Sequence, residues 1–180
     1  MVAIKSLLSA LLATAVISGT SALPVPEPVK DVVHTLNDAA NKYTNLHNAV
    51  KAFDGEVAQY IALTKKEALV EASLHRAIDA AHATAPLSDE DSKFVMQALA
   101  QPYPEFQSDL LADIIAKEPK VNEIHKSGDM LRILNNLRVL SSELPDALEK
   151  IVDAKDAEVI DGGDKWAQGL FADAIKAYSH

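Results

Sequence analysis

The sequence lacks cysteine and has few aromatic residues and few arginines. Without cysteine, no disulfide can stabilise the fold and thiol chemistry is excluded. Phe, Tyr and Trp make up 5 % of the chain, so aromatic stacking is not its main means of recognition. The arginines are Arg76, Arg132 and Arg138, against 26 acidic residues and a formal net charge of −9. An acidic chain without a basic cluster is not expected to bind nucleic acid.

Motifs of catalysis are also missing. The chain contains no Gly-x-Ser-x-Gly nucleophile turn, no His-Glu-x-x-His zinc motif and no glycine-rich phosphate loop. Glycine occurs only six times. The sequence therefore predicts no catalytic residue, no cofactor and a non-enzymatic function.

One group of residues has the spacing of metal ligands. His75, Asp79 and His82 are separated by four and three residues, so they share one face of a helix. Such a set can bind zinc, but it is also typical of a solvated polar stripe, and we predict the second. Asp161-Gly-Gly-Asp164 has too few ligands for a calcium loop and is interpreted as a capping turn. No metal site is predicted.

The first 22 residues have the three parts of a secretory signal peptide. Lys5 supplies the positive start, Leu7 to Ile17 is an apolar run, and small residues lead to a cleavage site after Ala22. The apolar run is too short to span a membrane comfortably, and no second run reaches that length. Because Lys5 is the one charge in this segment, cleavage takes the net charge from −9 to −10. We predict a secreted protein with a proline-rich spacer at residues 23–28 and one domain at residues 29–180.

The stretch from Phe106 to Val152 carries the largest concentration of aliphatic residues. They recur at steps of three and four, which is the period of one helix face. Gly128 can end one helix and Asp129 can cap the next. This pattern predicts a long helical hairpin on which the other helices pack. Pro119 and Pro145 lie inside its arms and predict kinks or short breaks.

The remaining segments also have helical periodicity, and no alternating strand pattern occurs. The fold class is therefore all-α, a single bundle of about five to six helices that can hold an apolar cavity between them. The charged run Lys65-Lys66-Glu67 is expected to be solvated. The other helices are predicted at residues 29–53, 56–83, from 88, and 165–178.

The aliphatic surplus of the hairpin permits two interpretations. It can form an ordinary filled core, or part of it can line a cavity for an aliphatic lipid. In the second case the predicted lipid-binding residues are Leu110, Ile114, Ile133, Leu137 and Leu140. Polar residues near these faces that could orient a head group are Ser73, Gln97, Gln107 and Asn136.

Short signatures complete the pattern: Pro86-Leu87-Ser88-x-x-Asp91 before the third helix, the leucine-rich stretch, and a closing Phe171-Ala-Asp-Ala-Ile-Lys-Ala-Tyr178. Over about residues 29–178 the chain resembles the fungal hydrophobic surface-binding protein A family, which includes the cell wall galactomannoprotein antigens. The resemblance implies a small helical bundle whose apolar interior accommodates fatty acids. It also implies adsorption to hydrophobic solids and recruitment of a secreted cutinase or esterase, with no catalytic residues.

The resemblance leaves more than one role open. The end of this sequence has neither an apolar anchor signal nor a Ser/Thr-rich tail, and no Asn-x-Ser/Thr sequon occurs. We therefore expect a freely secreted extracellular protein, with association to the cell wall as a further expectation. The alternative function is a structural cell wall protein with an ordinary filled core.

Overall fold

The computed structural model describes residues 26–100 and 103–179, and within these ranges it contains helices and no strand. The all-α prediction is confirmed. The predicted signal peptide and the first half of the predicted spacer, residues 23–25, lie outside the described residues. The helices are α1 (Glu27–Ala52), α2 (Val57–His82), α3 (Asp89–Ala100), α4 (Tyr103–Ala116), α5 (Glu118–Glu123), α6 (Ser127–Leu148) and α7 (Ala154–Ala177).

Helices α1 and α2 form an antiparallel pair joined by a tight turn. Gly55 in this turn has φ +112°, a conformation that side-chain-bearing residues rarely adopt. The Lys117 Nζ donates a hydrogen bond to the Phe53 carbonyl at 2.6 Å and so satisfies the C-terminal end of α1. Further along the pair, Arg76 Nη2 lies 2.7 Å from the Asp38 carboxylate. The Arg76–Asp38 pair thus joins α1 to α2, and Lys117 joins the end of α1 to the α4–α5 junction.

Proline and serine define several helix ends. Helix α1 begins two residues earlier than predicted because Pro28 fits its first turn, where no backbone N–H is needed. Ser88 precedes α3, and its Oγ accepts a hydrogen bond from the backbone N–H of Asp91 at 3.1 Å, as predicted for an N-cap. Pro119 breaks the predicted first arm of the hairpin at Lys117, which separates α4 from α5. This break raises the number of described helices to seven. Pro145 lies in the last turns of α6 without interrupting it.

The two aliphatic arms do not form the predicted hairpin. Helix α4 packs on α1 and α7, whereas α6 packs on α2 and α7, and α4 is not among the main contacts of α6. Periodicity shows which face of a helix is apolar but not which helix covers it. The organising unit of the bundle is the α1–α2 pair, which has the most extensive contact in the described chain.

Helix α7 is longer than predicted and runs through the glycine pair. The Asp161-Gly-Gly-Asp164 segment was interpreted as a capping turn, and this is wrong: it lies in the middle of α7. The helix starts at Asp153, whose carboxylate accepts the backbone N–H groups of Lys155 and Asp156 at 2.8 and 3.0 Å. Burial of Ile160 anchors this part of the helix to the core. Cap and packing together outweigh the low helix propensity of glycine.

A single apolar core runs through the bundle and draws residues from every helix described. Its large members are mostly aliphatic, and no disulfide is present among them. The core of an all-helical domain of this size can stabilise the fold through burial alone. The fully buried large side chains are Leu36, Tyr43, Leu46, Phe53, Leu74, Met130, Ile133, Leu134, Leu137, Leu148, Phe171 and Tyr178.

Candidate functional site

All of the predicted lipid-binding residues are buried in the common core. Each has an exposed fraction of 6 % or less. Leu110 and Ile114 lie on α4, and the other three lie on α6. The two groups come together through the common core and through α7, on which both helices pack. They therefore belong to one aliphatic interior, and their role in ligand binding stays a prediction. They are Leu110, Ile114, Ile133, Leu137 and Leu140.

The polar residues predicted to orient a head group are dispersed. Ser73 is buried, but its Oγ donates to the Val70 carbonyl of its own helix at 2.8 Å. Gln107 is half-buried and hydrogen-bonds the Tyr43 hydroxyl. Gln97 and Asn136 are exposed to solvent. Of the four, only Gln107 hydrogen-bonds a buried side chain on another helix, namely Tyr43 on α1.

Polar side-chain pairs link α1 to α6 within the core and to α4 at its partly exposed edge. The Tyr43 hydroxyl on α1 lies 3.3 Å from Ser141 Oγ on α6, and burial raises the pKa of Tyr43. His47 Nε2 on α1 lies 2.7 Å from the Asp113 carboxylate on α4. Sequence reasoning missed both pairs, because partners so far apart along the chain have no spacing signal. They fix α1 against α4 and α6 on either side of the aliphatic interior.

The carboxyl group of Glu67 is the most unusual polar group in the bundle. The residue is only 6 % exposed, and its Oε1 has no hydrogen-bond partner among the described residues. Burial, followed by the hydrogen bond and the charge of Glu71, raises the pKa of Glu67 to about 8, whereas the Arg132 guanidinium on α6 acts in the opposite direction. The expectation that Lys65-Lys66-Glu67 is solvated is thus wrong for Glu67. Its place in the stripe Tyr60, Leu63, Glu67, Val70 and Leu74, all at helical spacing, was the signal that could have revealed it.

The outer side of α2 is apolar as well. Val57, Ile61 and Leu69 are each about half exposed (51, 50 and 47 %). Twelve residues of helix extend over about 18 Å, so these side chains form a strip of that length, which the exposed Lys65 interrupts between Ile61 and Leu69. We call Val57, Ile61 and Leu69, with the exposed alanines between them, the α2 strip. Its alanines are Ala58, Ala62 and Ala68.

Open grooves on the surface are lined mainly by other residues. One of about 370 Å³ lies between α6 and α7 and includes Arg138, Val139 and Gln168. Another of about 520 Å³ lies between the start of α1 and the α2–α3 connection. Neither groove is lined by any of the five predicted lipid-binding residues.

The candidate metal ligands lie apart from this interior. His75, Asp79 and His82 are all exposed on α2. Within residues 26–100 and 103–179, no three histidine or carboxylate groups converge as a metal site would require. Among the described helices, none combines the length and apolar character needed to cross a bilayer.

The fold and interior define a class: a small all-helical bundle with an aliphatic core that is crossed by a few polar pairs. The family model described as hydrophobic surface binding protein A matches residues 29–150. The chain therefore belongs to the hydrophobic surface binding protein A family. No match was found among curated proteins.

Solved structures share this fold. The crystal structure of AFMP4P in complex with palmitic acid superimposes with a TM-score of 0.81 at 27 % identity, covering 84 % of this chain and 99 % of that one. Ligand binding domain 1 of the Penicillium marneffei MP1 protein, complexed with arachidonic acids, has a TM-score of 0.78 at 14 % identity, covering 86 % and 100 %. Domain 2 of the same protein, also complexed with arachidonic acids, has a TM-score of 0.71 at 12 % identity, covering 88 % and 99 %. At such low identity the two MP1 domains show the fold alone.

Proposed function

We propose that this chain is a secreted, non-enzymatic protein that binds a fatty-acid-like aliphatic ligand between its helices. One observation carries the proposal. The chain has a continuous aliphatic interior and is 27 % identical, over 84 % of its length, to a protein solved with palmitic acid. Interior sites of helical bundles are built from side chains on facing helices.

The composition of the interior favours an alkyl chain as the ligand. Leu110 and Ile114 on one side and Ile133, Leu137 and Leu140 on the other are flexible or branched aliphatics that contact a hydrocarbon without a fixed stacking geometry. Burial of apolar surface contributes about 25 cal/mol per Å², or roughly 0.8 kcal/mol per CH₂ group. A long alkyl chain between these side chains would therefore supply most of the binding free energy.

Displacement of a fluorescent long-chain probe by twelve- to eighteen-carbon lipids tests this proposal. We expect wild-type protein to bind the probe, and Leu137→Phe to weaken binding because added bulk fills the interior. Val139→Phe is the matched control, since Val139 is two residues away on α6 but 55 % exposed. Circular dichroism of both variants checks that each is folded.

Two outcomes would count against the proposal. If wild-type protein binds neither the probe nor any lipid of the series, the chain is not an aliphatic carrier. If folded Leu137→Phe binds as well as wild type, the ligand does not lie along this face of α6. Native mass spectrometry of protein purified from its own secretion host adds a readout without added ligand, since a co-purifying lipid is detected directly.

The second candidate function is adsorption to hydrophobic solids, and the α2 strip favours it. An exposed apolar patch rimmed by charges is typical of an interaction surface. The strip lies on the convex side of one helix, so it suits a flat surface better than a narrow groove. The description of the family, hydrophobic surface binding, points to an apolar solid as its occupant.

Depletion of protein from solution by polyester or wax particles tests adsorption. We expect Ile61→Lys to reduce depletion, because it removes an apolar side chain of the strip and adds a second charge one turn from Lys65. Val159→Lys on α7 introduces the same charge at a residue 38 % exposed and outside the strip, and should adsorb like wild type. Equal adsorption of Ile61→Lys and wild type would exclude the strip as the contact.

Recruitment of a secreted cutinase or esterase would be a consequence of adsorption. It predicts that such an enzyme sediments with the particles in larger amounts when this chain coats them. The remaining alternative, a structural cell wall protein with a filled core, predicts neither lipid binding nor adsorption.

A further inference from the structure

The carboxyl group of Glu67 lies within the buried face of α2, where it hydrogen-bonds Glu71 while its Oε1 has no partner among the described residues. Leu63 and Val70, one turn before and one turn after it, are core residues, and α6 packs on this side of the helix. A buried polar atom without a hydrogen bond is a cost to the stability of the fold. Oε1 of Glu67 has no partner among the described residues and therefore carries this cost. A ligand group that pairs with Oε1 would remove it.

We propose that Glu67 is the polar anchor of the interior ligand site and that it selects aliphatic ligands with a neutral hydroxyl head group over ionised fatty acids. Long-chain alcohols and monoacylglycerols are ligands of this class. The inference rests on the proposed function, because the alkyl chain would occupy the aliphatic interior described above.

Electrostatics disfavours an ionised carboxylate beside Glu67. The negative charge of Glu71 opposes ionisation of Glu67, and it would oppose a ligand carboxylate at the same place in the same way. The cation that acts on Glu67 is Arg132, and its influence is smaller than those of burial and Glu71. A fatty acid would thus lose its charge on entering or bind with the head group elsewhere.

A hydroxyl group suits this position for a geometric and a chemical reason. It both donates and accepts hydrogen bonds, so it pairs with Oε1 whether or not Glu67 carries a proton. A ligand carboxylate, ester or aldehyde only accepts and cannot pair with Oε1, because the proton that keeps Glu67 neutral is engaged in the hydrogen bond with Glu71. The alcohol is also neutral, so its desolvation on entering the apolar interior costs far less than that of a charge.

The flanking residues provide a path for the alkyl chain. The face of α2 that holds Glu67 is lined by core residues and packs on α6, whose buried side carries Ile133 and Leu137. A head group at Glu67 would therefore place the alkyl chain near Ile133 and Leu137, which the sequence analysis predicts as lipid-binding residues. The polar anchor and the apolar lining would form one site.

Competition among three ligands of equal chain length tests the inference. Dodecan-1-ol, laurate and methyl laurate would each displace a fluorescent probe from wild-type protein, Glu67→Gln and Glu67→Leu at about pH 7. We expect wild type to bind the alcohol about tenfold more tightly than laurate, which corresponds to one net hydrogen bond. Glu67→Leu should lose the preference for the alcohol. Glu67→Gln should retain alcohol binding, because an amide also donates and accepts, and should bind laurate more tightly than wild type does.

The outcomes separate this inference from the proposed function. If wild type binds laurate at least as tightly as the alcohol, the selectivity is refuted while the carrier function stands. An alcohol preference that is unchanged in folded Glu67→Leu places the anchor at another residue. If none of the three ligands displaces the probe and the probe itself does not bind, the carrier function fails and the inference fails with it.

Discussion

The hydroxyl of Tyr178 donates a hydrogen bond of 2.8 Å to the backbone carbonyl of Ile114. Tyr178 follows the last residue of α7, and Ile114 lies on α4 among the predicted lipid-binding residues. Both side chains are buried, and burial raises the pKa of Tyr178. The contact ties the C-terminal helix to the side of the aliphatic interior that α4 provides.

Removal of this hydroxyl should therefore loosen α7 from α4. We expect Tyr178→Phe to lower the free energy of unfolding by about 1 kcal/mol, measured by urea denaturation. Tyr60→Phe is the control, because its hydroxyl lies 3.5 Å from the Lys126 carbonyl and makes a weaker contact. If Tyr178→Phe is no less stable than Tyr60→Phe, this hydrogen bond does not contribute measurably to the stability of the fold.

The raised pKa of Glu67 predicts that stability falls as pH rises. An acid with a pKa near 4.5 when unfolded and about 8 when folded binds more protons in the folded state between those values. Its contribution is fully present below about pH 4.5 and is lost between pH 4.5 and about 8. The charged neighbours that act on it are Glu71 on α2 and Arg132 on α6.

Thermal unfolding at several pH values between 4.5 and 8 measures this effect. We expect wild type to lose on the order of 2 kcal/mol across the range, with Glu67→Gln showing a flatter profile. Glu149→Gln is a suitable comparison, since Glu149 also has a raised pKa but lies at the surface end of α6. A slope that is the same in Glu67→Gln and wild type would show that Glu67 titrates as a solvated acid.

The glycine pair in α7 offers a route to higher stability. Gly162 and Gly163 lie within the helix, and a Cβ added at either would meet no other atom within 4 Å. Alanine at each position should therefore increase the free energy of unfolding by about 0.5–1 kcal/mol, because it restricts the unfolded chain. Gly55→Ala should be destabilising, since its φ of +112° is unfavourable for alanine. Loss of stability in Gly163→Ala would contradict a regular helix at this point.

The buried aliphatic face of α6 should account for most of the stability that this helix contributes to the fold. We expect Leu137→Ala to cost about 2–5 kcal/mol, because Leu137 is 1 % exposed and the change leaves a cavity. Val139→Ala, at an exposed residue of the same helix, should change stability by less than about 0.5 kcal/mol. Chemical denaturation of both variants gives the comparison. Similar losses in the two would mean that α6 is rotated relative to this structure.

Helices and their apolar faces could be predicted because their signals are local. The three- and four-residue recurrence around Leu110, Ile114, Ile133 and Leu137 depends on neighbours along the chain, and all of these residues are buried. Ser88 as an N-cap and the break near Pro119 follow from local chemistry in the same way. The resemblance to the hydrophobic surface-binding family, which rested on short signatures, is confirmed by the family match over residues 29–150.

Non-local features could not be predicted. The sequence suggested that the aliphatic arms pack on each other, whereas α4 packs on α1 and α7 and α6 packs on α2 and α7. The glycine pair suggested a turn, whereas the cap at Asp153 and the burial of Ile160 extend α7 through it. In both cases long-range packing competed with a local preference and prevailed.

The sequence by itself determined that this protein is a helical bundle held together by an aliphatic core, because backbone propensity and apolar periodicity act within a few residues. The tertiary structure alone decided which faces meet. It buried Glu67 between packed helices and left its Oε1 without a hydrogen-bond partner among the described residues. It also left the α2 strip uncovered, because no helix described here packs over Val57, Ile61 and Leu69. Whether a residue is buried depends on which other segments pack against its helix, and the sequence of that helix does not specify them.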